Sequence, residues 1–147
     1  MSGAVTTEPW DDIAKRLVAH PRFKWAPAML SQPDGNRVLL AMSDGRVRTD
    51  VLVSVPSGWE NDHELGVRGV FAYEYPDLTD WPTVGALMRM LVEDTIAVRL
   101  TIDADDGVLV QVSATEDSDP NAVWTRHDIP GAAVALALIA VWGEVTP

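Results

Sequence analysis

The chain has 147 residues and a formal net charge of −11, with 47% hydrophobic residues, 22% charged residues and no cysteine. This composition excludes a disordered acidic tail, which would lack the apolar residues of a core, and the missing cysteines exclude disulfides, thiolate catalysis and cysteine-ligated zinc. Residues 1–73 carry 8 Lys/Arg against 9 Asp/Glu, whereas residues 74–147 carry 3 against 13, so the acidity is concentrated in the second half.

The first predicted element is a helix that runs to about Ala19. Thr7 is placed to cap it, and Pro9 suits its first turn. Its apolar positions follow the i, i+3, i+4, i+7 spacing of one helical face, namely Trp10, Ile13, Ala14 and Leu17. His20-Pro21 ends the helix, and we expect an extended segment over residues 23–29.

Alternating residues predict a β-hairpin over residues 37–55. Its first strand places three apolar side chains on one face, namely Val38, Leu40 and Met42. Ser43-Asp44-Gly45 supplies the turn. Residues 56–66 are polar and predict a surface loop that leads to a strand over residues 70–75.

The clearest predicted helix begins after Asp80 or Thr79, either of which suits its N-cap. Its apolar positions again share one face, namely Val84, Leu87, Met88 and Leu91. A second hairpin is predicted over residues 96–112, and a short strand over residues 122–127 precedes a final helix opened by Pro130.

The final helix is apolar on all sides, which predicts that it is buried. Its large face carries bulky side chains, namely Val134, Leu138, Ile139, Val141 and Trp142. Its opposite face carries Ala133, Ala137 and Ala140, which suit close packing in the core or against a second copy of the chain. The apolar run over residues 132–142 is shorter than the roughly 20 residues that a membrane span requires.

These elements predict a compact single α+β domain over residues 1–147. Its mainly antiparallel sheet has about five to six strands, including the two hairpins, and packs with three helices. Trp10 and Trp81 each lie near a helix start and precede similar strand patterns, which favours an α-β-β pseudo-repeat. We interpret both tryptophans as core or boundary residues.

Motifs for catalysis, metals and cofactors are missing from the sequence. The segment 103–107 resembles the start of an EF-hand loop, but Gly107 stands at position 5 instead of 6 and Ala114 at position 12, so no metal site is predicted. His20, His63 and His127 are scattered, and no nucleophile elbow or phosphate-binding glycine loop is present. We therefore predict no cofactor, and an enzyme built on a carboxylate pair or on His127-Asp128 is the least favoured class.

The candidate binding residues are one tryptophan and two acidic segments. Trp59 lies in a polar loop and suits an interface anchor. The acidic residues are those of the second hairpin turn and of the polar stretch after it, namely Asp103, Asp105, Asp106, Glu116, Asp117 and Asp119. Because a net charge of −11 opposes contact with phosphates, we expect no direct nucleic-acid binding and instead a partner with a basic protein surface.

Two stretches resemble small uncharacterised phage and prophage proteins of GC-rich bacteria. One runs from Pro76-Asp77-Leu78-Thr79-Asp80 through Thr83-Val84-Gly85 to Leu87, and the other lies within residues 13–30. In that group a Pro-Asp-Leu-x-Asp-Pro-x-Thr-x-Gly pattern introduces a helix. Here Trp81 stands where the group has proline, and the proline follows as Pro82. The resemblance implies a phage setting and no activity.

Taken together, these patterns predict a phage-encoded acidic protein that inhibits a host defence or nucleic-acid-handling complex through protein-protein interaction. The expected location is the bacterial cytoplasm, since the first ten residues lack a signal-peptide pattern, and no membrane contact is expected. The alternative is a non-enzymatic structural or accessory phage protein that forms a homo-oligomer. Both a monomer and a homodimer fit the first hypothesis.

Overall fold

The computed structural model describes residues 8–54, 63–93, 95, 97–103, 107–113 and 123–143. Its helices are α1 (Trp10–Ala19), α2 (Trp81–Glu93) and α3 (Pro130–Trp142). Its strands are β1 (Leu30–Gln32), β2 (Asn36–Ala41), β3 (Val47–Ser54), β4 (His63–Arg68), β5 (Tyr75–Pro76), β6 (Ala97–Asp103), β7 (Gly107–Ser113) and β8 (Val123–His127). The predicted α+β class and the three helices are confirmed.

The main core forms around α3. This helix packs against α1, α2, β7 and β8, and it buries residues on both its bulky and its alanine faces. The neighbouring elements contribute apolar stripes, namely Ile13, Ala14 and Leu17 of α1, Val84, Leu87 and Leu91 of α2, and Val108, Val110 and Val112 of β7. The core interpretation of α3 is confirmed for Ala133 and Ala137, which are buried within the same chain, whereas Ala140 at the end of that face is exposed. Among the described helices, none is long and apolar enough to cross a membrane.

The strands form two antiparallel sheets instead of one sheet of five to six strands. The order is β4-β3-β2-β1-β5 in the first sheet and β6-β7-β8 in the second. Both predicted hairpins are present, as β2-β3 and β6-β7. The three further strands β1, β4 and β5 are short or polar, and they pair through main-chain hydrogen bonds that apolar alternation does not reveal.

Two stretches between α1 and α2 differ from the sequence-based prediction. Residues 63–66 belong to β4, an edge strand, whereas a loop was predicted there. The predicted strand over residues 70–75 is instead an irregular segment that ends in β5. Residues 55–62, which contain most of the predicted loop, and Thr7, the predicted cap of α1, lie outside the described residues; Pro9 precedes the first residue of α1.

Strand β2 carries a bulge that reverses part of its predicted pattern. Its register with β3 shifts between Val38 and Leu40. Val38 is buried, whereas Leu40 and Met42, predicted on the same face, are exposed. The extra residue of a bulge breaks the alternation of side chains between the two faces. A local irregularity thus places Leu39 and Leu40 together at the surface.

The first and last helices run in the same direction, and two histidines hold their ends together. The Nε2 of His127, just before α3, lies 2.8 Å from the carbonyl oxygen of Glu8, just before α1. The Nε2 of His20, just after α1, lies 2.8 Å from the carbonyl oxygen of Gly143, just after α3. In both rings Nδ1 accepts a backbone N–H, from Ile129 and Arg22 respectively, so each Nε2 carries the proton and donates.

Candidate protein-binding surface

The acidic segments predicted to bind a partner attach to opposite ends of the second sheet. Asp103 ends β6 and pairs with Gly107, the first residue of β7, whereas the stretch that contains Glu116 follows Ser113 at the other end of β7. Seven residues of β7 separate these ends by about 20 Å at roughly 3.3 Å per residue. The sheet therefore gives the two segments separate points of attachment.

Six of the seven predicted binding residues lie outside the part of the chain that the structure describes. These are Trp59, Asp105, Asp106, Glu116, Asp117 and Asp119, and the structure gives only the backbone position of Asp103. Their role stays a prediction.

The carboxylates of the segment before α2 are held by donors from within the fold. The Asp77 carboxylate accepts hydrogen bonds from Gln32 Nε2 at 2.9 Å and from the backbone N–H of Thr79 at 2.9 Å. Asp80 caps α2 by accepting the N–H of Thr83 at 3.1 Å. It also accepts two hydrogen bonds from the Arg37 guanidinium, at 2.9 and 3.0 Å, and this pairing lowers the pKa of Asp80.

Leu78 and Thr83 of the same segment are also held within the fold. Leu78 is fully buried, and Thr83 is buried with its Oγ1 accepting the N–H of Leu30 at 2.9 Å. Asp77 and Thr83 fasten the start of α2 to β1, and Asp80 fastens it to Arg37 of β2. Trp81 is the exception, since it is 60% exposed and not a core or boundary residue as predicted.

A buried ion pair fixes the irregular segment between β4 and β5. The Glu74 side chain is 1% exposed and accepts hydrogen bonds from Arg68 Nη2 at 2.6 Å and Arg68 Nη1 at 2.9 Å. Its remaining partners are Ser31 Oγ at 2.8 Å and the Phe71 N–H at 2.6 Å. Burial alone would raise the pKa of Glu74, but these donors outweigh it and lower the pKa. The same pair raises the pKa of Arg68.

The segment that Glu74 fixes carries two exposed aromatic residues, Phe71 and Tyr73. Their rings stack with centroids 5.4 Å apart and an interplanar angle of 5°, although each residue is 54% exposed. The Arg68 guanidinium lies 5.5 Å from the centroid of Phe71, and the Tyr73 hydroxyl donates to the Asp34 carboxylate at 3.1 Å. Burial and this neighbouring carboxylate raise the pKa of Tyr73. We call Phe71 and Tyr73 the aromatic ledge.

A groove of about 740 Å³ lies beside the aromatic ledge. Its lining comes from α1, from Pro33 just after β1 and from the segment around β5, and includes Lys15, Val18, Tyr73 and Tyr75. The Lys15 ammonium stands 5.3 Å from the centroid of Tyr75. An apolar groove beside rigidly held aromatic rings suits the anchor side chains of a protein partner.

Sequence reasoning missed the aromatic ledge because it assigned residues 70–75 to a strand. Two aromatics at i and i+2 would share one face of a strand, and in such a strand that face packs on the core. The carboxylate of Glu74, next to Tyr73 in the sequence, was the available signal of a turn. Glu74 accepts the Phe71 N–H three residues earlier, and this bond closes a turn that no strand contains.

The described titratable side chains do not form a metal site. Within the part of the chain that the structure describes, no group of three or more His, Asp or Glu residues could hold a metal ion. His20 and His127 bind backbone groups with both ring nitrogens, and the carboxylates of Glu74, Asp77 and Asp80 are occupied by donors from within the fold. These five side chains serve the fold.

Comparisons with models of protein families, with curated proteins and with solved structures found no match for this chain. The candidate surface therefore rests on its own geometry.

Proposed function

We propose that this protein acts by binding another protein and that the aromatic ledge is the anchor of that contact. The observation that carries the proposal is the exposure of two stacked rings on a segment fixed by a buried ion pair. Aromatic residues are enriched at the cores of protein interfaces, and a preformed anchor avoids part of the entropy cost of ordering on binding. Glu74 supplies this order, because it binds Arg68, Ser31 and the Phe71 backbone at once.

The partner that we propose has a basic surface. The chain has a net charge of −11, with 13 acidic residues against 3 basic ones in residues 74–147. Such a charge steers basic proteins toward the molecule and speeds association. Aromatic rings also attract cationic side chains over their faces, and Asp34 lies at the rim of the aromatic ledge.

Inhibition of a host defence or nucleic-acid-handling complex is the biological role that we propose for this contact. It is supported by the acidic charge and by the resemblance of residues 76–87 to phage and prophage proteins. A basic groove that normally holds nucleic acid would be the surface that such an inhibitor covers. The cytoplasm of the bacterial host is the corresponding location.

Capture from a bacterial lysate with cross-linking and mass spectrometry tests this proposal. The double variant F71A/Y73A should lose the partner that the wild-type protein captures, with an affinity for the purified partner at least about thirtyfold weaker. The matched control is W81A, which removes an exposed aromatic residue on α2 and should leave capture unchanged.

Salt dependence separates the electrostatic part of the proposal from the aromatic part. Affinity for the captured partner should fall as salt rises from about 0.05 M to about 0.5 M, because screening weakens contacts between charged surfaces. Equal capture by F71A/Y73A and wild type would reject the aromatic ledge as the anchor. Salt-insensitive affinity would reject the basic partner.

A further inference from the structure

The second sheet has one face that no described element covers. Val108, Val110 and Val112 of β7 are buried toward the core, and Thr125 Oγ1 of β8 donates to the Ala133 carbonyl of α3 at 2.6 Å. Since side chains alternate along a strand, the intervening residues face away from α3. The register arranges them in two rows across the sheet, Arg99-Gln111-Trp124 and Thr101-Leu109-Arg126. We call these six residues the outer sheet face.

The outer sheet face carries two cations that have no anionic partner among the described residues. Arg99 and Arg126 are two of the three basic residues in residues 74–147, and neither forms an ion pair with a described residue. The Nε of Arg126 is buried and lacks a hydrogen-bond partner within the described part of the chain. A buried donor that stays unsatisfied costs stability, so a ligand that supplies an acceptor here relieves that cost.

We propose that the outer sheet face binds an extended acidic segment of a partner protein, with one carboxylate on Arg99, one on Arg126 and an apolar side chain on Trp124. Guanidinium groups bind carboxylates through paired hydrogen bonds. Trp124 is 37% exposed in the same row as Arg99 and two residues from Arg126, so it offers an apolar contact between the two.

The spacing of the arginines sets the spacing of the carboxylates. Arg99 and Arg126 lie two strands apart and two residues offset, which places their Cα atoms about 12 Å apart. Residues i and i+4 of an extended peptide are about 13 Å apart, so acidic residues with three residues between them match the two cations. The net charge of −11 repels a long polyanion much more than a peptide with two charges, which favours protein over single-stranded nucleic acid.

Panning a display library of random octapeptides on the full-length protein tests the proposal. The wild type should enrich peptides that have two acidic residues with three residues between them, at least about tenfold over the variant R99Q/R126Q. A synthetic copy of a selected peptide should bind W124A about tenfold more weakly. The control R89Q removes an exposed arginine of α2 and should leave affinity unchanged.

A conservative double variant and an oligonucleotide probe complete this test. The variant R99K/R126K keeps the charges but loses the paired hydrogen bonds, and it should bind the selected peptide with intermediate affinity while circular dichroism shows an unchanged fold. Equal enrichment on wild type and R99Q/R126Q, or selected peptides without acidic pairs, would overturn the proposal. Arginine-dependent binding of a fluorescein-labelled oligothymidine, tighter than that of the selected peptide, would assign the face to single-stranded nucleic acid instead.

Discussion

Glu74 shows how a single side chain determines both stability and surface shape. It is the largest buried charged side chain among the described residues, and its carboxylate joins β1, β4 and the segment that carries the aromatic ledge. Removing one member of a buried ion pair leaves an uncompensated charge, which costs more than the pair itself contributes. The ledge therefore depends on a side chain that is itself only 1% exposed.

The Glu74 pair predicts a specific acid sensitivity. Because the folded state lowers the pKa of Glu74 below its ordinary value of about 4.3, its stabilisation is complete above that pH and is lost as pH falls through the lower folded value. E74Q should reduce the free energy of unfolding by about 2 kcal/mol at pH 7. Urea denaturation should show this difference shrinking below about pH 4.

The control for this measurement is Glu93, whose pair with Arg89 on α2 is exposed. E93Q should change the free energy of unfolding by less than about 0.5 kcal/mol at any pH, because solvent screens an exposed i, i+4 pair. If the difference in the free energy of unfolding between E74Q and wild type stays constant down to pH 3, the lowered pKa of Glu74 is contradicted.

At the scale of elements, the helices are fixed by close contacts more than by their own propensity. Gly131, in the first turn of α3, lies against the backbone of Leu78, so that a β-carbon there would stand 2.8 Å from the Leu78 carbonyl carbon and closer to its oxygen. Gly85 in α2 has open space around its missing β-carbon. The two glycines therefore have opposite physical roles.

Alanine substitution should separate these roles. G131A should lower the free energy of unfolding by about 2 kcal/mol, because α3 or the Leu78 backbone must shift to admit the methyl group. G85A should raise it by up to about 1 kcal/mol through better helix propensity. Thermal or urea unfolding of both variants measures these two changes in the free energy of unfolding. If G131A is more stable than wild type, α3 does not pack on Leu78 as described.

At the scale of the whole molecule, the two halves of unequal charge are joined by ion pairs between them. Arg37 and Arg68 of the nearly neutral half bind Asp80 and Glu74 of the acidic half. Residues 74–147 contain 13 acidic residues, and three of them are buried or nearly buried, namely Glu74, Asp77 and Asp80. The remaining carboxylates of this negatively charged chain repel one another.

Salt should therefore stabilise this protein. Raising sodium chloride from about 0.02 M to about 0.3 M screens repulsion among exposed carboxylates, whereas the Glu74 and Asp80 pairs are partly buried and are screened less. We expect the free energy of unfolding in urea to rise by about 1 kcal/mol with an unchanged denaturant slope. A decrease would mean that exposed ion pairs outweigh the repulsion.

Short-range patterns predicted the elements that depend on neighbouring residues. The turns at Asp44-Gly45 and Gly107 fix the two hairpins, and Gly45 and Gly107 both adopt the positive φ that such turns require. The spacing of apolar residues located α2, and Pro130 with the apolar run after it located α3. Of the two caps expected for α2, Asp80 and Thr79, the structure has Asp80. These features follow from contacts between residues a few positions apart, so the sequence determines them by itself.

Only the tertiary structure decided which polar and aromatic residues face the solvent. Ser31 binds Glu74 and Gln32 binds Asp77, each across more than 40 positions of the chain. A count of charges alone would place these acidic residues at the surface, whereas their distant partners hold them in the interior. The bond from Glu74 to the Phe71 N–H converts a predicted strand into the exposed aromatic ledge. Composition and alternation determine charge and local shape, whereas burial depends on the distant groups that satisfy each side chain.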